Sequence, residues 1–193
     1  MTRIIAGTAG GRRLAVPNGR VTRPTGDRTR EALFSSVLSD LGTLSEARVL
    51  DLYAGSGAIG LEALSRGASH ALMVEADRRA AATLRRNVAS VDLPGARVEV
   101  GRVLRVLERG PGGAPYDLVV ADPPYALPDA ELGEVLAALR DGGWCVPDAL
   151  LVVERASRGP DLVWPEGFVP VRMRRYGEAT LWYGRTASLP DHA

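Results

Sequence analysis

Asp122-Pro123-Pro124-Tyr125 brings a carboxylate, two prolines and an aromatic ring together at the end of an apolar run. The run, Tyr116-Asp117-Leu118-Val119-Val120-Ala121, reads as a buried β-strand. Two consecutive prolines fix φ twice and remove two N–H donors. Each also pushes the residue before it toward extended geometry. The result is a stiff corner, with a carboxylate and bare backbone carbonyls at the strand's end. A rigid row of acceptors beside a ring suits the capture of a planar, amine-bearing ring.

A second constellation lies upstream. Gly55-Ser56-Gly57-Ala58-Ile59-Gly60 has the G-x-G-x-x-G spacing, and Glu75, twenty residues past Gly55, closes the next strand. Glycines let a ligand approach the backbone, and an acid at the second strand's end accepts from two ribose hydroxyls. Glu75 also has a purely structural reading, as an acid favouring the dipole of the helix that follows. The pattern specifies a nucleoside and leaves open which one. Asp51, in Asp51-Leu52-Tyr53-Ala54-Gly55-Ser56-Gly57, then favours S-adenosylmethionine. It sets a carboxylate where a cationic ligand end is welcome and a pyrophosphate would be repelled. The acceptor corner points the same way, because a nicotinamide enzyme has no use for it.

The elements that must hold these residues follow from the periodicity. Strand patterns at 49–53, 71–74, 97–100, 116–121 and 149–153 alternate with a helix pattern that follows the glycine-rich turn and ends at Gly67 and with helix patterns at 77–91, 103–109 and 129–140. That alternation predicts a parallel sheet with helices on both faces and a site outside the carboxyl ends of the strands. The tail differs: 168–176 and 179–184 alternate and meet at Gly177-Glu178, a β-hairpin signal and a third feature suiting a methyltransferase. Before the alternation, the first 24 residues mix glycines with short β-prone pieces, as in a small hairpin or extended arm. Asp27 is the expected N-cap of a helix whose apolar stripe is Leu33, Phe34, Val37, Leu38 and Leu41.

Composition narrows the class. The chain's 193 residues suit one well-filled α/β domain. A single cysteine, Cys145, rules out a disulfide framework and points to a cytoplasmic enzyme; it reads as an inert buried thiol. No stretch is apolar enough to span a membrane, no apolar signal region opens the chain, and no metal-ligand spacing is present. Trp144, Trp164 and Trp182 read as packing residues. All 24 basic residues are arginine. Seven of them fall in residues 1–30 against Asp27 alone, so a basic segment leads a body of net negative charge. Such a segment is either a phosphate-binding arm or a solvated face. The same choice holds for Arg172, Arg174 and Arg175.

Residues 51–57 resemble the first motif of class I S-adenosylmethionine-dependent methyltransferases, and residues 122–125 resemble their amino-methylating (D/N)-P-P-(Y/F) motif. More narrowly, Arg23-Pro24-Thr25, Asp27 and Arg30-Glu31-Ala32-Leu33-Phe34 resemble the N-terminal signature of the bacterial 16S rRNA guanine-N2 methyltransferases acting at position 966. Arg3-Ile4-Ile5-Ala6-Gly7, Gly11-Arg12-Arg13-Leu14 and the stretch from Gly60 to Ala68 are similar too. The likeness covers most of residues 3–155.

It implies a Rossmann-like, seven-stranded, mostly parallel sheet with a C-terminal antiparallel hairpin. Residues 1–26 would be a basic arm or hairpin, 27–185 the methyltransferase domain and 186–193 a disordered tail. Asp51, Tyr53, Ala54, Gly55, Ser56 and Gly57 would line the methionine side of the cofactor, and Glu75 its ribose. Arg102 and Val103 would form the adenine corner, where related enzymes often carry Asp or Asn at the position of Arg102. An arginine cannot accept from the adenine amino group, which leaves the Val103 N–H for that contact. Asp122, Pro123, Pro124 and Tyr125 would be catalytic, with Tyr125 stacking on the base. Arg12, Arg13, Arg23 and Arg28 would face the RNA. The expected partner is 16S rRNA or the 30S subunit, with the enzyme a monomer. A DNA adenine-N6 enzyme shares the corner chemistry. Its target-recognition region finds no room in the 67 positions from Gly55 to Asp122, all used by βαβ structure. A protein glutamine methyltransferase usually carries Asn at the position of Asp122. A nicotinamide oxidoreductase and a non-catalytic RNA-binding module are the readings from other classes.

Overall fold

Hydrophobic alternation becomes structure from residue 48 onward. The computed structural model describes residues 2–17 and 26–187. Strand β1 (Thr2–Arg3) pairs antiparallel with β2 (Arg13–Leu14), and α1 (Asp27–Leu41) follows. Then come β3 (Arg48–Leu52), α2 (Ala58–Ser65), β4 (His70–Glu75), α3 (Arg78–Val91), β5 (Ala96–Val100), α4 (Val103–Leu107) and β6 (Tyr116–Ala121). The series closes with α5 (Asp129–Asp141), β7 (Cys145–Ala156), β8 (Phe168–Tyr176) and β9 (Ala179–Thr186).

Among the described residues, seven strands form one sheet in the order β5-β4-β3-β6-β7-β9-β8. The pairs from β5 to β7 are parallel, and β9 runs antiparallel between β7 and β8. After β3 the chain builds outward to β4 and β5, then returns to the other side of β3 with β6. That reversal opens a crevice at the carboxyl ends of β3 and β6. Two hydrophobic layers fix the sheet. One packs Phe34, Leu61 and Leu84 against Val49, Val120, Val152 and Tyr183. The other packs Tyr116, Leu136 and Trp144 against Leu52, Val119 and Leu151. Trp144 is a packing residue, as expected, with its indole N–H donating to the Leu107 carbonyl at 2.9 Å. Burial pushes the half-buried Cys145 thiol up to about 12, so it stays protonated and unreactive.

Three expectations need correction. Gly26, not Asp27, occupies the N-cap of α1. Asp27 is the first helical residue, where it favours the dipole and accepts hydrogen bonds from the Thr2 hydroxyl and Arg30, both at 3.0 Å. Of the two forms expected for the N-terminus the hairpin is the one present, and it packs into the domain instead of standing apart as residues 1–26. Ile4 and Leu14 lie in the core, and the fully buried Glu62 on α2 accepts from the Ile5 and Ala6 N–H groups at 2.7 and 3.0 Å. Thr186, placed in the disordered tail, is the last residue of β9. Its hydroxyl accepts from the Ala149 N–H and donates to the Val146 carbonyl, which locks it into the sheet. Ala187, also placed in that tail, donates its N–H to the Gly167 carbonyl at 2.9 Å, and residues 188–193 and Arg23-Pro24-Thr25 lie outside the described residues.

Candidate active site

β3 delivers Asp51 to the sheet's carboxyl edge, where it is 1% exposed. Its Oδ2 accepts from the Gly60 N–H at 3.0 Å. Burial, with some help from the Glu75 charge, raises the carboxyl to about 7 against the opposing Gly60 hydrogen bond. Tyr53 then takes a left-handed φ of 63°, which turns the chain out of the strand. The glycine loop follows. Gly55 is also left-handed, and its N–H donates to Glu75 Oε2 at 2.8 Å. The other Glu75 oxygen accepts from the Asp77 N–H at 2.8 Å. Glu75 therefore braces the loop from the end of β4, and each carboxylate oxygen has capacity for more than one hydrogen bond. Gly57, with φ 81°, has no room for a side chain: a Cβ would lie 2.2 Å from the Leu84 side chain.

β6 ends at Ala121, and the double-proline corner leaves the sheet there. Asp122 is half-buried, Pro123 buried and Tyr125 51% exposed. The Tyr125 hydroxyl donates to Glu154 Oε1 at 3.5 Å. Partial burial and the Glu154 and Asp122 carboxylates push the phenol up to about 12. The corner is clamped from β7. Arg155 donates to the Leu127 carbonyl at 2.9 Å and to Asp129 at 2.8 Å, while the Leu127 N–H donates to the Pro124 carbonyl at 2.9 Å.

These two elements face one cleft of about 880 Å³. Asp51, Tyr53, Ala54, Gly55 and Ser56 line one side, and Asp122, Pro123, Pro124 and Tyr125 the other. Gly57, Glu75, Arg102 and Val103 do not line it. Gly57 packs inward against Leu84, Glu75 stands behind Gly55, Arg102 is the exposed N-cap of α4, and Val103 is buried at that helix's first position.

Of the arginines expected on the RNA side, Arg12, Arg13 and Arg28 are exposed. Arg12 is tied into the fold, donating to the Val91 carbonyl at the end of α3 at 2.6 Å. Arg23 lies outside the described residues. Arg172 forms an ion pair with Asp40 and lies over the Tyr183 ring, whereas Arg174 and Arg175 are exposed.

The cleft also recruits residues that sequence reasoning passed over. Glu154 from β7 and the β8–β9 turn with Glu178 line it, as do Val16, Pro17 and the buried Arg30. Asn87 on α3 links two of these parts. Its amide pairs with the N–H and carbonyl of Ala15, both at 2.9 Å, and donates to the Ser56 carbonyl at 2.8 Å. For Glu154 a signal was present: an acid ends the apolar run Leu150-Leu151-Val152-Val153, as Asp122 and Glu75 end theirs.

A parallel sheet with this order and antiparallel final pair, its glycine loop after β3 and its acceptor corner after β6 define a class I methyltransferase. The family described as Conserved hypothetical protein 95 matches residues 2–185. The Escherichia coli ribosomal RNA small subunit methyltransferase D is 40% identical over 152 residues, which is 79% of this chain and 73% of that protein. The Haemophilus influenzae protein of the same name is 34% identical, covering 91% of this chain and 89% of its own. A solved Escherichia coli chain superposes with a TM-score of 0.82 at 35% identity, covering 97% and 99% of the two chains. The chain belongs to this family of small-subunit ribosomal RNA methyltransferases.

Proposed function

We propose that the protein transfers a methyl group from S-adenosylmethionine to the exocyclic N2 of a guanine in 16S rRNA, the guanine at position 966 by resemblance. The small subunit or an assembly intermediate would be the substrate, in the cytoplasm. The observation that carries this reading is the single cleft shared by the Asp51 loop and the Asp122 corner. Its volume of about 880 Å³ lies within the range of nucleoside-sized ligand sites. The residues present fit the cofactor: a buried carboxylate at Asp51 for a cationic end and half-buried loop backbone at Gly55, with Glu75 bracing that loop from behind. When bound, S-adenosylmethionine supplies an already electrophilic methyl group on a sulfonium.

The protein's own task is then placement and electrostatics. The guanine N2 lone pair is delocalised into the ring and is a poor nucleophile. Asp122 and the Pro123 carbonyl accept the two N2 hydrogens, which favours tetrahedral character at nitrogen and aims the lone pair into the cleft. The same acceptors stabilise positive charge as it develops on that nitrogen. Tyr125, exposed at the rim, stacks on the base, worth roughly 1–3 kcal/mol. A base can reach this corner only by leaving its stack, and RNA loops present bases already splayed out.

Asp122→Ala tests the mechanism. Methyl transfer to undermethylated small subunits and to naked 16S rRNA should fall by at least ~10²–10³-fold. Calorimetric titration should show near-normal affinity for S-adenosylmethionine and none for NAD in either protein. Methylation by the variant at a near-normal rate would sink the mechanism, and an unmodified N2 in wild-type product would sink the choice of atom.

A further inference from the structure

The mechanism above leaves one buried carboxylate of the cleft unused. β6 and β7 are parallel with Ala121 paired to Val153, so Asp122 and Glu154 follow side by side on neighbouring strands. Side chains alternate along a strand. Glu154 therefore shares its face with Leu150 and Val152, and Asp122 shares the same face with Leu118 and Val120; those four side chains pack in one core layer. Glu154 is 5% exposed, lines the cleft and accepts from the Tyr125 hydroxyl at 3.5 Å. A carboxylate in a row of aliphatic positions is costly to bury, and packing does not call for it.

We infer that Glu154 determines base specificity by accepting the N1–H of the target guanine while Asp122 and Pro123 hold its N2. Guanine offers N1–H and N2–H as adjacent donors on its Watson–Crick edge, and two adjacent carboxylates match them. Adenine offers a bare N1 lone pair beside its amine, so a carboxylate there rejects it. The inference rests on the guanine-N2 reading and supplies the reason this acceptor corner takes guanine. The phenol of Tyr125 lies close enough to feel both carboxylates, which places the stacking ring and the two edge readers in one subsite.

The test uses small subunits reconstituted with 16S rRNA carrying guanine or 2-aminopurine at the target position. 2-Aminopurine keeps the amine that receives the methyl group but has a lone pair at N1 and hydrogen in place of O6, so the Glu154 variants, which face N1, separate the two differences. Wild type should methylate guanine at least ~100-fold faster, since a site built around a donor rejects the analogue lacking it. Glu154→Gln can donate its amide N–H to the bare N1, so the preference should shrink to within ~10-fold. Glu154→Asp, which keeps the carboxylate, should lose rate yet retain the preference. Affinity for S-adenosylmethionine and thermal midpoint, measured in parallel, report whether each variant is folded. An unchanged guanine preference in Glu154→Gln, even with a uniformly lower rate, overturns the inference, as does a wild type that treats both bases alike. If wild type methylates neither base, the guanine-N2 reading itself fails and takes this inference with it.

Discussion

Asp51 joins stability to cofactor binding through one proton. Its carboxyl is raised to about 7 in the folded chain from an ordinary 3.8. Between those values the native state holds a proton that the unfolded chain has released. Stability from this group is therefore full below about pH 4, falls as pH rises toward 7, and levels off above. The cost at neutral pH is on the order of a few kcal/mol. A ligand bearing an ammonium group prefers the carboxylate, so affinity for S-adenosylmethionine should rise between pH 5.5 and 7.5. Asp51→Asn should flatten both trends, with urea unfolding and calorimetric titration as the measurements. An affinity rise that persists in the variant would remove Asp51 from the cationic end of the ligand. At this scale the sequence was readable where rare chemistry is spelled locally, as at Asp51 and residues 122–125. Glu75 stood out by its spacing as a ribose acceptor, but its hydrogen bond to Gly55, which braces the loop, crosses between strands and was hidden. Glu154 went unread because an acid after an apolar run is common, and only the β6–β7 register sets it beside Asp122.

The glycine loop shows how one short element divides two duties. Gly55 and Gly57 are both left-handed, yet a Cβ at Gly55 meets nothing within 4 Å while one at Gly57 strikes Leu84. Gly55→Ala should cost only backbone strain, about 1–2 kcal/mol, and its methyl group should weaken S-adenosylmethionine binding from the cleft side. Gly57→Ala adds a core clash of ~1–3 kcal/mol to the same strain. Urea midpoints should therefore drop further for Gly57→Ala than for Gly55→Ala; the reverse order would contradict this division. The sequence motif could not separate the two glycines, because the separation depends on α3 packing behind the loop. The central elements were nonetheless legible from periodicity, with ends off by a few residues. The N-terminal hairpin was legible as a hairpin but not as part of the core. Its anchor, Glu62, lies 57 positions from Ile5 in the chain and also forms an ion pair with Arg66. No local pattern encodes so distant a pairing.

Charge is distributed over the whole molecule in a way that binding to RNA can measure. The chain's net charge is only +1, yet its first thirty residues are strongly basic and its hairpin continues through Val16 and Pro17 onto the cleft. Arg28 stands in the first turn of α1, where a cation opposes the helix dipole, so helix stability does not account for it. Arg13 is exposed on β2. Arg12 differs, since its guanidinium satisfies a carbonyl at the end of α3. If the hairpin side faces phosphates, each exposed arginine that meets one releases counterions on binding. Arg13→Ala and Arg28→Ala should each lower the slope of log affinity against log salt by about 1, with little change in stability. Arg12→Ala should instead cost about 1 kcal/mol of stability by leaving the Val91 carbonyl without its donor, with a smaller effect on the slope. Filter binding of 16S rRNA across a salt series, alongside urea unfolding of the three variants, separates the two outcomes. Unchanged slopes for both Arg13→Ala and Arg28→Ala would move the RNA-facing surface away from the hairpin, toward the exposed Arg174 and Arg175 on β8.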